Sequence, residues 1–245
     1  MGNKLYHIAA VTALLFISCS KIEDGCTEKG VLSEITRTVD LFHQIQAEDR
    51  IDVELIHDPS RLGQILLKGY ANLLDGVRIE VNNDRLILSD ANRCKWLREL
   101  DNRVLCQVYI DSLSELYSLD DASFFSSDTL PVNELYFNHN STSDQKLLLD
   151  IGTLYFDHRE AGEVRLRGNC DIFVATMYET GKLQAREMPA DIVYVYHYGL
   201  NHVYVSPLNQ LDCHIENTGN VYYHLDPQNG VNVSGRGSGT VERIF

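Results

Sequence analysis

The sequence predicts an all-β fold, a single-stranded parallel β-helix (β-solenoid) with coils of about nineteen residues and a hairpin-rich N-terminal part. Three observations carry that expectation. Apolar residues recur at a step of nineteen through Leu116, Leu135, Leu154, Phe173, Ile192 and Leu211, then at Val231 after a step of twenty. Two flanking columns keep the same phase. Ser114, Asn133, Gly152, Asp171, Ala190, Asn209 and Asn229 are small or turn-forming, and Ser118, Phe137, Phe156, Ala175, Tyr194, Cys213 and Val233 are mostly apolar. A second strand per period follows through Val164, Leu183, Val203, Val221 and Val241. A chain that returns an apolar residue to one place each period buries it by stacking coil on coil. At a strand spacing of roughly 4.8 Å, residues 112–245 make about seven coils and a rod of about 30 to 35 Å.

Residues 1–18 read as an address. Lys4 precedes an apolar stretch from Leu5 to Ile17, of signal-peptide length and too short to span a bilayer. The stretch ends in Leu15-Phe16-Ile17-Ser18-Cys19, which resembles a bacterial lipoprotein signal with Phe16 where Leu is commoner. That resemblance implies that Cys19 becomes the first mature residue and carries acyl chains, each buried methylene contributing about 0.8 kcal/mol to anchoring. Ser20 after the Cys implies sorting to the outer membrane, and Lys21, Glu23 and Asp24 look like a surface-export tag. The alternative is an ordinary secretory signal in which Cys19 falls by chance. Residues 19–33 then form a tether, and 34–245 the β-helix domain.

Within that domain, residues 34–110 form N-terminal coils or a cap, and 111–245 the regular repeats. Alternating runs at Ile51–Leu55, Val77–Val81 and Val104–Ile110 are strands, separated by turn residues at Asp58-Pro59-Ser60, Asp75-Gly76 and Asn82-Asn83-Asp84. Leu73-Leu74 and Leu97 to Leu100 read as short helical turns. The period fades upstream of residue 112, where a solenoid needs a cap over its open strand edge.

Of 245 residues, 44% are hydrophobic and 23% charged, a globular composition. Acidic residues outnumber basic ones 35 to 21, for a formal charge of −14. That balance argues against a nucleic-acid binder, which neutralises phosphates with Lys and Arg, and against a polybasic membrane patch. Among the cysteines after Cys19, Cys94 and Cys106 are close enough in sequence to bridge adjoining segments. Cys170 and Cys213 read as small buried hydrophobes, and the odd set of five with Cys26 leaves at least one thiol unpaired within a monomer. No zinc spacing is present.

Two stretches resemble the GIN-domain family of putative auto-transporter adhesins. The first is Arg50-Ile51-Asp52-Val53-Glu54-Leu55 with Asn72-Leu73-Leu74-Asp75 and Asp84-Arg85-Leu86-Ile87-Leu88. The second is Val233-Ser234-Gly235-Arg236-Gly237-Ser238-Gly239-Thr240-Val241. The intermediate turns, such as Gly168-Asn169-Cys170-Asp171-Ile172, have lost the family's glycines. The resemblance covers about residues 34–245. It implies a right-handed parallel β-helix and an adhesin-like role with no defined ligand.

Gly235-Arg236-Gly237-Ser238-Gly239 lacks the following helix that a phosphate loop needs, so it reads as a solenoid turn. His139 and His158, nineteen apart with Asp120 earlier in the column, could hold a metal with Asn138 and Asp157. The plainer reading is a solvated turn, and no metal site is expected. Asp120, Asp121, Asp157 and Glu160, with Arg159, Arg165 and Arg167 to hold uronates, are the only close groups for polysaccharide cleavage. They are equally an ordinary mixed-charge face. Tyr117, Tyr136 and Tyr155 sit one residue beyond the inward column and point outward on adjacent coils, either to bind sugar rings or a protein or to brace the sheet. Asp111-Ser112-Leu113 and Asp128-Thr129-Leu130 match a short bacterial O-glycosylation pattern. The expectation is a lipid-anchored cell-envelope protein acting by binding, as an adhesin-like or structural surface module. It has no cofactor or catalytic residue, and its partner is a glycan or protein. A polysaccharide-binding or polysaccharide-degrading β-helix protein is the alternative.

Overall fold

The computed structural model describes residues 30–92 and 103–245. Their strands join in one continuous sheet, wound into a β-solenoid of about six turns. The N-terminal part contains β1 (Leu32–Thr38), β2 (Gln44–Ala47), β3 (Ile51–His57), β4 (Gln64–Tyr70), a single helical turn α1 (Ala71–Leu74), β5 (Val77–Asn82), β6 (Arg85–Asp90) and β7 (Val104–Ile110). The repeats contain β8 (Glu115–Asp120), β9 (Ser123–Phe125), β10 (Leu130–Ser141), β11 (Gln145–His158), β12 (Glu163–Met177), β13 (Lys182–His197), β14 (Val203–Ile215), β15 (Val221–Tyr223), β16 (Val231–Ser234) and β17 (Val241–Arg243). The helical turn expected at Leu73-Leu74 is α1, whereas Leu97 to Leu100 lie outside the described residues.

Each long strand serves two walls. In β11, residues around Lys146 pair with β9 and β12 on one wall, while Leu154 pairs with Leu135 and Phe173 on the other. Between them the chain turns a corner at Ile151 and Gly152 without leaving the sheet. We call the wall of β8 and Leu154 the first, and that of β9 and Lys146 the second. At the next corner Gly168 has φ +107°, and a Cβ there would lie 1.9 Å from the Leu149 carbonyl oxygen, so only glycine fits.

Alternation along the strands supplies the core. In β11 the second half buries Leu154 and Phe156 and turns Tyr155 and Asp157 outward. Phe124, Phe137, Phe156 and Phe173 are all fully buried, and the Phe137 and Phe156 rings lie 5.3 Å apart. Such a pair contributes about 0.5–1.5 kcal/mol beyond its burial.

The register is as the sequence predicts on the second wall, where Val164, Leu183, Val203, Val221 and Val241 face one another in turn. On the first wall it departs twice. Leu116 faces Phe137 and Ser118 faces His139, a step of twenty-one, because residues 126–129 form a loop between β9 and β10 that later coils lack. Farther on, Phe173 faces Val193, not Ile192, because the register shifts by one residue after Arg165, where Arg167 faces Glu187. Val193 and Val195 are therefore the buried residues of that coil, and Ile192 and Tyr194 are turned outward.

The N-terminal part is both a coil and a cap. β2 and β3 pair in parallel with β8 and β9, and on their other side with β6 and β7. Antiparallel pairs then close this end, β5 with β6 on the first wall and β1 with β4 and β4 with β7 on the second. Reversing the strand direction stops the parallel ladder from continuing past β1 and β5.

Inward histidines close the turns that follow the first wall. His139, His158 and His197 are buried, and each has Nε2 at 3.1, 2.7 and 2.8 Å from the carbonyl oxygen four residues on, in Ser143, Gly162 and Asn201. Glycines of the next coil leave room for the rings: a Cβ at Gly181 would lie 2.1 Å from His158. The Nδ1 atoms of His139 and His158 are 3.1 Å apart. Two neutral rings carry two N–H groups, while these three contacts together need three. Burial opposes a third proton, and it lowers His139 to about 3 and His158 to about 4 from 6.5.

Of the cysteines, Cys106, Cys170 and Cys213 are buried free thiols. Burial raises all three, with Cys170 and Cys213 pushed up to about 12. Cys94, the possible mate of Cys106, lies outside the described residues, as do Cys19 and Cys26.

Because the folded state holds His139 and His158 neutral, the unfolded chain binds more protons below pH 6.5, and stability falls as pH drops from 6.5 toward 4. His158→Met, the residue that Met177 supplies one coil on, should make that fall shallower in urea denaturation across this range. An unchanged slope contradicts a neutral buried His158.

Candidate functional site

The outward side of the first wall is built from two adjacent columns. One runs Glu115, Tyr136, Tyr155, Val174, Tyr194 and Asp212, and the other Tyr117, Asn138, Asp157, Thr176, Tyr196 and His214. Tyr136 and Tyr155 stack with ring centroids 4.5 Å apart and planes within 9°. Parallel in-register pairing sets this geometry, since it places like side chains one strand spacing apart.

Tyr117 does not join that stack. The twenty-one-residue first coil puts it opposite Asn138, where its hydroxyl donates to Glu115 Oε2 at 2.6 Å and its ring lies 4.3 Å below the Arg85 guanidinium. Arg85 also pairs with Glu115 at 3.0 Å, so Tyr117 belongs to a local bracing cluster. The expected three-tyrosine row is a two-tyrosine stack.

The face gains other aromatics that the nineteen-residue column does not contain. Tyr178 and Tyr198 stack at 5.4 Å in successive turns beside the wall, with Arg159 4.6 Å over Tyr178. The His214 ring lies 6.4 Å from Tyr196 and 6.3 Å from Tyr198. Tyr136, Tyr196 and Tyr198 are 43, 41 and 39% exposed, enough to present ring faces while their edges pack. The twenty-residue spacing of Tyr178 and Tyr198 was the available signal. A shallow groove of about 280 Å³ runs beside Tyr194, Tyr196 and His214. A flat apolar surface edged by hydroxyls suits sugar rings or a protein surface.

The other candidates do not assemble. His139 and His158 point into the core, Asn138 and Asp157 point out, and Asp120 faces Ser141 and not a histidine. Neither the solvated-turn reading nor the metal reading holds for this pair. Among the described residues no group of three His, Cys, Asp or Glu side chains is placed to hold a metal ion.

Of the four carboxylates considered for polysaccharide cleavage, two are held in ion pairs. Asp121 pairs with Arg103 at 3.1 Å and Arg50 at 3.5 Å, and Asp157 with Arg159 at 3.1 Å. Gly235–Gly239 is a solenoid turn: Gly237 and Gly239 N–H donate to the Ile215 and Asn217 carbonyls of the preceding coil, and β17 follows. Ser112 and Thr129 lie exposed in the loops before β8 and β10. No helix among the described residues is long and apolar enough to cross a membrane.

Comparison with known proteins agrees with this architecture. No curated protein matches the chain. Among solved structures, an adhesin-like protein from Bacteroides fragilis is similar with a TM-score of 0.79 at 17% identity, over 87% of this chain and 97% of that one. Two proteins from Parabacteroides distasonis, described as a putative adhesin and a putative lipid binding protein, each give 0.64 at 17% identity, over 88% of this chain and 98% of theirs. At such identities the likeness is one of fold. The family model "Putative auto-transporter adhesin, head GIN domain" matches residues 41–227. Three quarters of the chain therefore carry the family's pattern on the family's fold, and the protein belongs to the GIN-domain family of adhesin-like proteins.

Proposed function

We propose that the protein is a lipid-anchored module of the bacterial cell envelope that acts by binding, with the aromatic first wall as its contact surface. The observation that carries this is the outward Tyr136–Tyr155 stack, with Tyr194 and Tyr196 on the same face two coils on, beyond Val174 and Thr176. The paired backbone beneath holds these rings in place on the outer side of the wall. Ligands that match are glycans with apolar ring faces and protein surfaces with exposed side chains. The family's adhesin description fits such a role, and the lipobox-like Ser18-Cys19 supplies the tether. Binding is favoured over catalysis because Asp121 and Asp157, two of the four carboxylates near the repeats, are already ion-paired.

Two measurements test this reading. Labelling with palmitate in a bacterial host should mark the wild-type protein and not Cys19→Ala, and shaving intact cells with protease should remove the wild-type chain. Equal labelling of both chains contradicts the anchor. On arrays of glycans and extracellular proteins, the triple variant Tyr136→Ser, Tyr155→Ser, Tyr196→Ser should lose at least tenfold of the strongest signal with an unchanged melting temperature. Retained signal moves the contact surface away from the first wall.

A further inference from the structure

The second wall carries a different surface. Its outward column runs Phe125, Lys146, Arg165, Gln184 and Tyr204, one residue per coil. Beside it stand Arg167, Lys182 and Arg186. Two open grooves cover this area, about 500 Å³ along Phe125, Lys146 and Arg167, and about 400 Å³ along Lys182, Arg186 and Tyr204. They share Arg165 and Arg167 and so form one continuous strip. Four coil steps separate Phe125 from Tyr204, roughly 19 Å at the spacing of paired strands.

The charge of the strip runs against that of the molecule. Five cations line the two grooves, Lys146, Arg165, Arg167, Lys182 and Arg186, against three carboxylates, Asp144, Glu163 and Glu187. The chain as a whole carries −14. Glu163 holds Arg165, and Lys182 at 3.2 Å, while Glu187 holds Arg167 at 3.1 Å. Among the described residues no carboxylate pairs with Lys146 or Arg186, one toward each end of the strip. Lys182 and Arg186 flank the Tyr204 ring at 5.8 and 5.5 Å, and Tyr222 stacks behind it at 5.2 Å. The bulge between Arg165 and Arg167 in the pairing of β12 with β13 leaves Arg186 and Glu187 both outward, a local irregularity at the centre of the strip.

We propose that this strip is a second binding site, separate from the aromatic first wall, and that it takes an extended acidic glycan bearing uronate or sulfate groups. Charge complementarity selects an anion, and length and openness select a chain over a small ion. A tyrosine flanked by two cations selects a sugar, since one ring can stack on the phenol while its acid group reaches Lys182 or Arg186. Cations repeating at the coil spacing meet an anionic group on successive sugars. A membrane surface fits less well, because it is broad and flat, whereas the cations lie along a narrow strip on a chain that carries a net charge of −14 and would be repelled elsewhere by anionic headgroups.

The test is calorimetric titration of the full chain with a polygalacturonate hexasaccharide and a heparin hexasaccharide. A neutral glucan hexasaccharide, vesicles of anionic phospholipid and a single-stranded oligonucleotide serve as alternatives. One of the acidic glycans should bind at least tenfold more tightly than the neutral one, with an affinity that falls as salt rises. Lys146→Ala with Arg186→Ala should weaken that binding at least tenfold, and Glu187→Gln should strengthen it. Circular dichroism and melting of each variant should match wild type, since these side chains lie on the surface. The first-wall tyrosine variant should bind the acidic glycan unchanged, which separates this site from the aromatic one. The proposal is overturned by absent binding to both acidic glycans, equal affinity for the neutral one, tighter binding to vesicles or oligonucleotide, or indifference to the double substitution.

Discussion

Parallel backbone pairing between one coil and the next is the interaction on which everything else rests. A single coil of nineteen or twenty residues encloses too little volume to bury its own apolar side chains. Stacked in register, the coils satisfy each other's N–H and C=O groups and place Leu on Phe and Val on Leu along continuous columns. Pairing dictates the corner glycine at Gly168, because the next backbone passes where a Cβ would be. It also dictates the antiparallel cap at the N-terminal end, where the ladder has to stop.

The same constraint makes the outer surface a set of ordered rows. Any residue type repeated at the coil length becomes a row of side chains one strand spacing apart, whether tyrosines on the first wall or cations on the second. Such rows are rigid without help from loops, because the backbone beneath them is paired on both sides. A binding surface of this kind loses little conformational entropy on contact. Its specificity lies in which residues occupy the rows, and they can change while the inward columns hold the fold.

Much of this was legible in the sequence, and the exceptions have physical causes. The second-wall column from Val164 to Val241 could be read directly because inward positions there tolerate only apolar residues. The first wall could be read to within one or two residues. Leu116 and Leu135 are both apolar and both buried, so the nineteen-residue step between them looks sound although the true partner of Leu116 is Phe137. The extra residues sit in Ser126–Thr129, whose polar character marks a loop but not its length. Ile192 beside Val193 posed the same problem: in a run of adjacent apolar residues, periodicity alone does not say which one is inside. The buried histidines were misplaced because imidazole reads as polar, and only the turn carbonyls four residues on explain how the core accepts it. For the candidate site, Tyr136 and Tyr155 were legible from their shared spacing. Tyr117 was misassigned through the first-coil slip, and the Tyr178–Tyr198 stack went unseen because it lies in the turns, outside the strand columns.

If coil-on-coil pairing is the organising constraint, one whole coil is a removable unit. Deleting residues 164–182 brings Leu183 into the place of Val164, its partner in the native ladder, and leaves both ends capped as before. Small-angle scattering should then show a folded particle with its long axis shorter by about 4.8 Å, the spacing of one strand. Deleting only residues 164–173, about half a coil, brings a first-wall segment onto the second-wall ladder and should not fold. If the whole-coil deletion is unfolded, or both deletions fold equally well, stacking in this register is not what holds the protein together.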